Sequence, residues 1–225
     1  MTQVEQDNTR FALGKKFAWS GIQHSSHVKQ CVDEEVACIA TTGGATIMFY
    51  EDGISSWTSG LTDNLYNKLK GRQDTLPSPS YVAMGTKDRY YIEFEDGRSE
   101  WVGPAAINKY LQNPEAFGEL SRDGVRIVAF GKDFDTYFIV YTCGHWTYEG
   151  RIPAGLVDLL KRRDHVGDLH HVSLGPSGEW YLAATNGKAW WGGVPDDFGH
   201  FVKDVKNSIE FIDFGEGGSY IIRYN

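Results

Sequence analysis

The sequence predicts a mainly β protein with short helices, closed into a toroid of five repeats in which the two termini share one repeat. Three observations predict it. A turn glycine followed by an aromatic recurs along the chain, strand-like segments and hairpin dipeptides precede each recurrence, and the two ends carry complementary fragments of the same unit. The pairs are Gly53 with Trp57, Gly97 with Trp101, Gly144 with Tyr148 and Gly187 with Trp191, about 45 residues apart, which is the scale of a supersecondary repeat.

Residues 1–13 read as a flexible leader, and residues 14–225 as one repeat domain. The first copy opens at Gly14 with Phe17, Ala18, Trp19 and Gly21, the end of a strand, and continues into a helix with Val28, Cys31 and Val32 on one face. Each later copy then starts with a strand alternating apolar and small residues: Cys38 to Thr42, Tyr81 to Gly85, Ile127 to Gly131, His171 to Gly175 and Phe211 to Gly215. A second strand follows, over Ile47 to Tyr50, Tyr91 to Phe94, Phe138 to Tyr141 and Tyr181 to Ala184, rich in the β-branched and aromatic residues that suit a pleated sheet. Asp52-Gly53, Asp96-Gly97 and Asn186-Gly187 turn it back into a third strand, because these dipeptides tolerate the positive φ of a tight hairpin.

A helix closes each copy, with apolar residues at i, i+3 and i+4: Ile107, Tyr110 and Leu111; Leu156, Leu159 and Leu160; Phe198, Phe201 and Val202; Leu65 and Leu69 keep part of the stripe. Such spacing buries one face of the helix. Pro104, Pro153 and Pro195 stand where these helices begin, a position at which a missing N–H costs little.

The last copy runs through Tyr220 to Tyr224 and ends at Asn225, one strand short, and residues 14–21 supply a strand with no repeat of its own. Pairing the two closes the ring and removes two unpaired edges. The arrangement resembles five-bladed β-propellers closed by a terminal strand, the organisation of tachylectin-type sugar-binding proteins. That resemblance covers residues 14–225, is one of organisation only, and implies a ligand-binding module. The helix in every copy departs from a four-stranded blade, so it either decorates the rim or replaces the fourth strand.

A formal charge of −8 and a pI near 5.3 argue against a nucleic-acid partner, which normally meets a basic face. The one compact basic cluster, Lys161 to Arg163, falls at a helix end, where cations complement the terminal carbonyls. No apolar run reaches the ~20 residues of a membrane span, so no membrane partner is expected. Three cysteines, Cys31, Cys38 and Cys143, fit a reducing compartment and a cytoplasmic location better than a disulfide framework.

The cluster His24, His27, Cys31 and Cys38 has the donor types of a zinc site. The repeat alignment instead puts Cys31 on a helix stripe and Cys38 in the column of Tyr81, Ile127 and Phe211, both core positions, so no metal and no cofactor are expected. Ligand contacts are expected from the aromatic column Trp19, Trp57, Trp101, Tyr148 and Trp191, with Trp190 beside the last; the column's rings suit CH–π stacking on sugars, and the same rings also serve as spacers between layers. The leading expectation is a non-enzymatic module for a small molecule or glycan. The alternatives are a protein-interaction scaffold and an enzyme with one asymmetric site in copies three and four. There His145, His170 and His171 break the repeat pattern alongside Trp146, Trp180 and the doubled Trp190-Trp191. Nucleophile elbow, Walker loop, dinucleotide glycines and His-Glu metal helix are all missing from the sequence.

Overall fold

The structure, a computed structural model, describes residues 3–6, 16–22, 28–29, 36–42, 44–72, 76–112, 124–162, 166–205 and 208–225. Alternating apolar residues make the strands, and antiparallel pairing assembles them into five sheets. Four are simple meanders. Blade 1 holds β3 (Val36–Thr42), β4 (Ala45–Tyr50) and β5 (Ser55–Trp57), and blade 2 holds β6 (Pro79–Met84), β7 (Tyr90–Phe94) and β8 (Ser99–Val102). Blade 3 holds β9 (Val125–Phe130), β10 (Tyr137–Tyr141) and β11 (Trp146–Glu149), and blade 4 holds β12 (Leu169–Leu174), β13 (Trp180–Ala184) and β14 (Ala189–Gly192).

Blade 5 is built from both ends of the chain. Here β15 (Ile209–Phe214) and β16 (Tyr220–Tyr224) are joined by β2 (Lys16–Ser20), with Ile221 opposite Trp19 and Tyr224 opposite Lys16. Outside β2 lies β1 (Gln3–Gln6), a strand within the stretch expected as a leader. The first strands of the blades neighbour one another in a closed circle, β3 to β6 to β9 to β12 to β15 and back to β3. The fold is a five-bladed β-propeller in which four blades are three-stranded meanders and the fifth is a four-stranded sheet built from both ends of the chain.

Gly53, Gly97, Gly144 and Gly187 all turn the second strand into the third with φ between +81° and +88°, a conformation that a Cβ disfavours. After each outer strand of blades 1 to 4 the chain enters a helix: α1 (Asp63–Lys70), α2 (Asn108–Leu111, continuing a 3-10 turn over Ala105–Ile107), α3 (Ala154–Leu160) and α4 (Asp196–Val205). Thr62 caps α1 by accepting from the Leu65 N–H at 3.4 Å, and Pro104 and Pro153 occupy the cap positions of their helices.

The core is divided as the ring requires, into five apolar clusters, each filling the seam between one blade and the next. Leu65 and Leu69 of α1 pack with Val82 and Ile92 of blade 2, Ile107 with Val128 and Ile139 of blade 3, Leu156 and Leu160 with Leu182 of blade 4, and Phe198 and Val202 with Ile212 and Ile222 of blade 5. At the closing seam Phe17 and Trp19 join Ile39, Met48 and Val28. A helix therefore covers the seam to the next blade, where an amphipathic stripe is buried on both sheets at once. Among the described residues, no helix is long and apolar enough to cross a membrane.

Candidate ligand site at the mouth of the central channel

Every inner strand carries the same irregularity. Its pairing with the second strand slips by one residue near its start, between Val36 and Cys38, Pro79 and Tyr81, Val125 and Ile127, Leu169 and His171, and Ile209 and Phe211. The unpaired residues are Ala37, Ser80, Arg126, His170 and Glu210. A bulge frees one residue from the ladder and twists the strand locally. All five freed residues, together with the residue after each, line a cavity of about 450 Å³ that opens at this end of the channel. Deeper in, the channel narrows to about 20 Å³ between Ala83, Ala129, Ser173 and Asp213.

The residues after the bulges hold the ring together. Cys38 Sγ lies 3.9 Å from the Val82 carbonyl oxygen of blade 2. Tyr81 Oη lies 3.2 Å from both the carbonyl oxygen and the nitrogen of Val128 in blade 3. His171 Nε2 lies 3.0 Å from the Ile212 carbonyl oxygen and 3.3 Å from its nitrogen in blade 5. In all three, a side chain of one blade satisfies the inner-strand backbone of the next. Ile127 and Phe211, the other two members of this column, are apolar themselves, and Phe211 meets the His171 ring edge-on at 5.3 Å.

Burial sets the protonation of this column. Desolvation pushes the Cys38 thiol up to about 11, so it stays neutral and unreactive at physiological pH. Desolvation, with His170 and Arg223 nearby, pulls His171 down to about 4, so the imidazole is neutral. Below it Asp213 is pushed up to about 7 by burial, although it accepts from the Thr41 N–H at 2.8 Å and the Phe214 N–H at 3.0 Å.

The bulge residues are more open and chemically unlike one another. Ala37 and Ser80 leave one arc of the mouth small, while Arg126, His170 and Glu210 line the other. Arg126 and His170 are exposed at the surface, yet partial desolvation of the His170 ring by the walls of the mouth, followed by the Arg126 charge, holds its imidazole below the usual range. Arg223, from β16, donates to the Val36 and Ala37 carbonyls at 3.3 and 3.0 Å and stands 3.7 Å from Glu210. The mouth is thus a one-sided, partly cationic bowl with aromatic walls at Tyr81 and Phe211.

The residues singled out from sequence separate accordingly. His170 and His171 meet at the mouth, but His145 does not: it sits on the β10–β11 turn with Nδ1 3.4 Å from Cys143 Sγ. Trp19 is buried in the closing seam, and Trp57, Trp101, Tyr148 and Trp191 are half-buried against the other four clusters, with Trp101 Nε1 donating to Asn108 Oδ1 at 2.9 Å. Trp190 belongs to a different place, the rim of blade 4. His24, His27 and Cys31 lie outside the described residues, and among the described ones no group of three or more His, Cys, Asp or Glu could hold a metal ion. Arg126, Glu210 and Arg223 were not evident from the repeat, although Arg126 and Glu210 stand one residue before the aligned Ile127 and Phe211.

No family model matches the chain, and no curated protein matches it. Among solved structures it is similar to YCF48 bound to D1 peptide, at 11% identity and a TM-score of 0.30, covering 72% of this chain and 52% of that one. It is also similar to selenomethionine-substituted virginiamycin B lyase from Staphylococcus aureus, at 11% identity and a TM-score of 0.25, covering 86% of this chain and 67% of that one. The catalytically inactive form of that lyase with Quinupristin matches at 10% identity, a TM-score of 0.26 and the same coverage. The chain spans about half the length of the YCF48 structure. The five-bladed assignment rests on the strand pairings themselves.

Proposed function

We propose that this β-propeller is a non-enzymatic binding module that takes one small ligand, with an anionic group, into the mouth of its central channel. The observation that carries the reading is the five-fold bulge that turns Ala37, Ser80, Arg126, His170 and Glu210 into a cavity of about 450 Å³, with three of the five polar or charged on one arc. Arg126 and His170 supply donors to an anion, Glu210 and Ser80 accept from or donate to hydroxyls, and Tyr81 and Phe211 wall the apolar body; a concave, largely apolar site with a few convergent polar groups is the usual form of a small-molecule site. Catalysis has less support. His171 and Cys38 are engaged in bracing the ring and are held neutral, leaving His170 as the one histidine of the three with a side chain free to meet a ligand.

Carbohydrate binding through five equivalent platforms also has less support, since five rings of that column pack into the seams. A cytoplasmic setting is part of the proposal, supported by the free thiols of Cys38 and Cys143. The test is a thermal-shift and calorimetric screen of the full chain against small mono- and dicarboxylates and phosphate monoesters. The reading expects a ligand at one per chain whose affinity falls at least tenfold in both Arg126→Ala and His170→Ala. Hits that bind equally well to both variants, or no hit in either anion class, would overturn it.

A further inference from the structure

Among the described residues, four seams between a helix and the next blade can be compared position by position on the rim, and one differs from the rest. Where α1 meets blade 2, Lys68 pairs with Glu100. Where α2 meets blade 3, Lys109 pairs with Glu149 at 2.8 Å and Tyr110 Oη donates to the same oxygen at 3.2 Å. Where α4 meets blade 5, Phe201 packs edge-on against Tyr224 and Tyr220 Oη donates to Asp197 at 3.1 Å. Side chains from helix and blade close these three seams.

Between α3 and blade 4 the corresponding region is instead a groove of about 420 Å³, lined chiefly by Trp180, Trp190, Leu159, Asp158 and Arg162. Two departures from the repeat shape it. Strand register puts Trp190 level with Ser56, Glu100, Thr147 and Ala18 of the other outer strands, so a bulky indole stands where small or polar residues are the rule. Trp180 takes the place held by Tyr90, Tyr137 and Tyr220, and it is paired with Gly192, where a Cβ would come within 2.7 Å of its Nε1. Gly155 of α3 flanks the same ring, 3.5 Å from Cζ2 to an added Cβ. The glycines make room for an indole that the other blades lack.

Neither the Trp180 nor the Trp190 indole N–H meets a hydrogen-bond acceptor among the described residues. Asp158 is engaged by Lys161 at 3.2 Å, but both side chains are about 70% exposed, and a pair so placed yields readily to a competing hydroxyl. From this we infer that the rim groove between α3 and β14 is a second binding site, and that its ligand is a saccharide. A sugar ring has one C–H face to lay on an indole, hydroxyl oxygens to accept from indole N–H and the Arg162 guanidinium, and hydroxyl protons to give to Asp158. The groove presents all four kinds of contact side by side. A purely apolar partner would leave the Arg162 guanidinium and both indole N–H groups without a new partner on binding, at a penalty for each. The site is separate from the channel mouth and shares no residue with it.

The experiment uses the full chain, first on an array of mono- to tetrasaccharides and then by saturation-transfer NMR and tryptophan-fluorescence titration with the soluble form of the strongest binder. The expected result is a saccharide bound at one per chain, its ring C–H protons receiving magnetisation from the protein. Trp190→Thr, which installs the blade 3 residue at this position, should weaken it at least tenfold, and Asp158→Asn and Arg162→Ala several-fold. Arg126→Ala at the channel mouth should leave it unchanged, which separates failure here from failure of the proposed mouth site. If Trp190→Thr does not fold, the two exposed-residue variants decide. No bound saccharide on the array, binding unaltered within twofold in the variants, or Trp190-dependent capture of peptides in place of sugars would each overturn the inference.

Discussion

His170 and His171 are adjacent in sequence and belong to different parts of the molecule. His171 is buried and neutral, its Nε2 against the Ile212 backbone of the next blade; His170, in the bulge, is exposed at the channel mouth. The same split runs round the ring. The column of Cys38, Tyr81, Ile127, His171 and Phe211 binds blade to blade, while the column of Ala37, Ser80, Arg126, His170 and Glu210 faces what enters. A single slipped residue per strand lets neighbouring side chains serve stability and recognition separately. Changes in the bracing column and its relatives should therefore unfold the ring, and changes in the bulge column should alter only binding.

The largest expected effect comes from opening the ring. Removing residues 1–21 takes away β2 and leaves β16 with an unpaired edge and the closing seam without Phe17 and Trp19. The shortened chain should lose cooperative thermal unfolding in circular dichroism, whereas removing residues 1–8, which deletes only the outer strand β1, should keep it with a modestly lower Tm. Next in size is Arg89, a brace at the other end of the channel. It is fully buried and donates to the carbonyls of Gly131, Asp133, Phe134 and Thr136 in blade 3 as well as to Thr86. Arg89→Ala strands these acceptors and opens a cavity, so urea denaturation should show a loss of about 3–5 kcal/mol. A loss below about 1 kcal/mol would mean that the polar braces are not what holds blade to blade.

The five-fold ring was legible in the sequence because its signals are local: a turn glycine needing positive φ at 53, 97, 144 and 187, aromatic strands before it and a helical stripe after it. Closure was legible too, since the missing strand after Tyr224 and the surplus strand at Phe17 to Trp19 are complementary fragments. The bulge left no such mark. Slipping by one residue depends on how two strands pair, and Arg126 or Glu210 in a strand reads as an ordinary solvent-facing residue until the register is known. Conversely, His171 broke the repeat pattern and so drew attention as a reactive group, although its ring performs the same inter-blade contact as the Tyr81 hydroxyl. A repeat alignment locates unusual residues; only geometry tells a brace from a ligand contact.

Two buried groups of the channel give the comparison a pH signature with opposite signs. The folded chain keeps a proton on Asp213, at about 7 against the usual 3.8, so that contribution is fully present below about 4 and is lost as pH rises through 7. His171, at about 4 against the usual 6.5, behaves in reverse: its stability is fully present above about 6.5 and is lost as pH falls towards 4. Each amounts to something on the order of 3 kcal/mol, and between pH 4 and 6.5 they largely cancel. His171→Phe, which copies Phe211, should unmask the Asp213 slope, with stability falling as pH rises from 4 to 7. Asp213→Asn should unmask the opposite slope. Urea denaturation at half-unit pH steps compares the three chains, and parallel curves for both variants would show that neither group titrates as its burial implies.

The smallest effect on stability, and the sharpest test of the division between columns, belongs to the bulges. Arg126 and His170 are exposed and lie outside the regular ladder, so replacing either with Ala should change unfolding free energy by no more than about 0.5 kcal/mol. Arg223 offers the internal control. Its guanidinium also borders the mouth but donates to the Val36 and Ala37 carbonyls across the closing seam, and it is mostly buried. Arg223→Ala should therefore lower stability by about 2–4 kcal/mol, since breaking a buried charged contact leaves its acceptors unpaired. Measured side by side in urea, a wide gap between Arg223→Ala and Arg126→Ala is what the two-column arrangement requires. Equal effects would place both cations in the same role and remove the distinction between holding the ring and receiving a ligand.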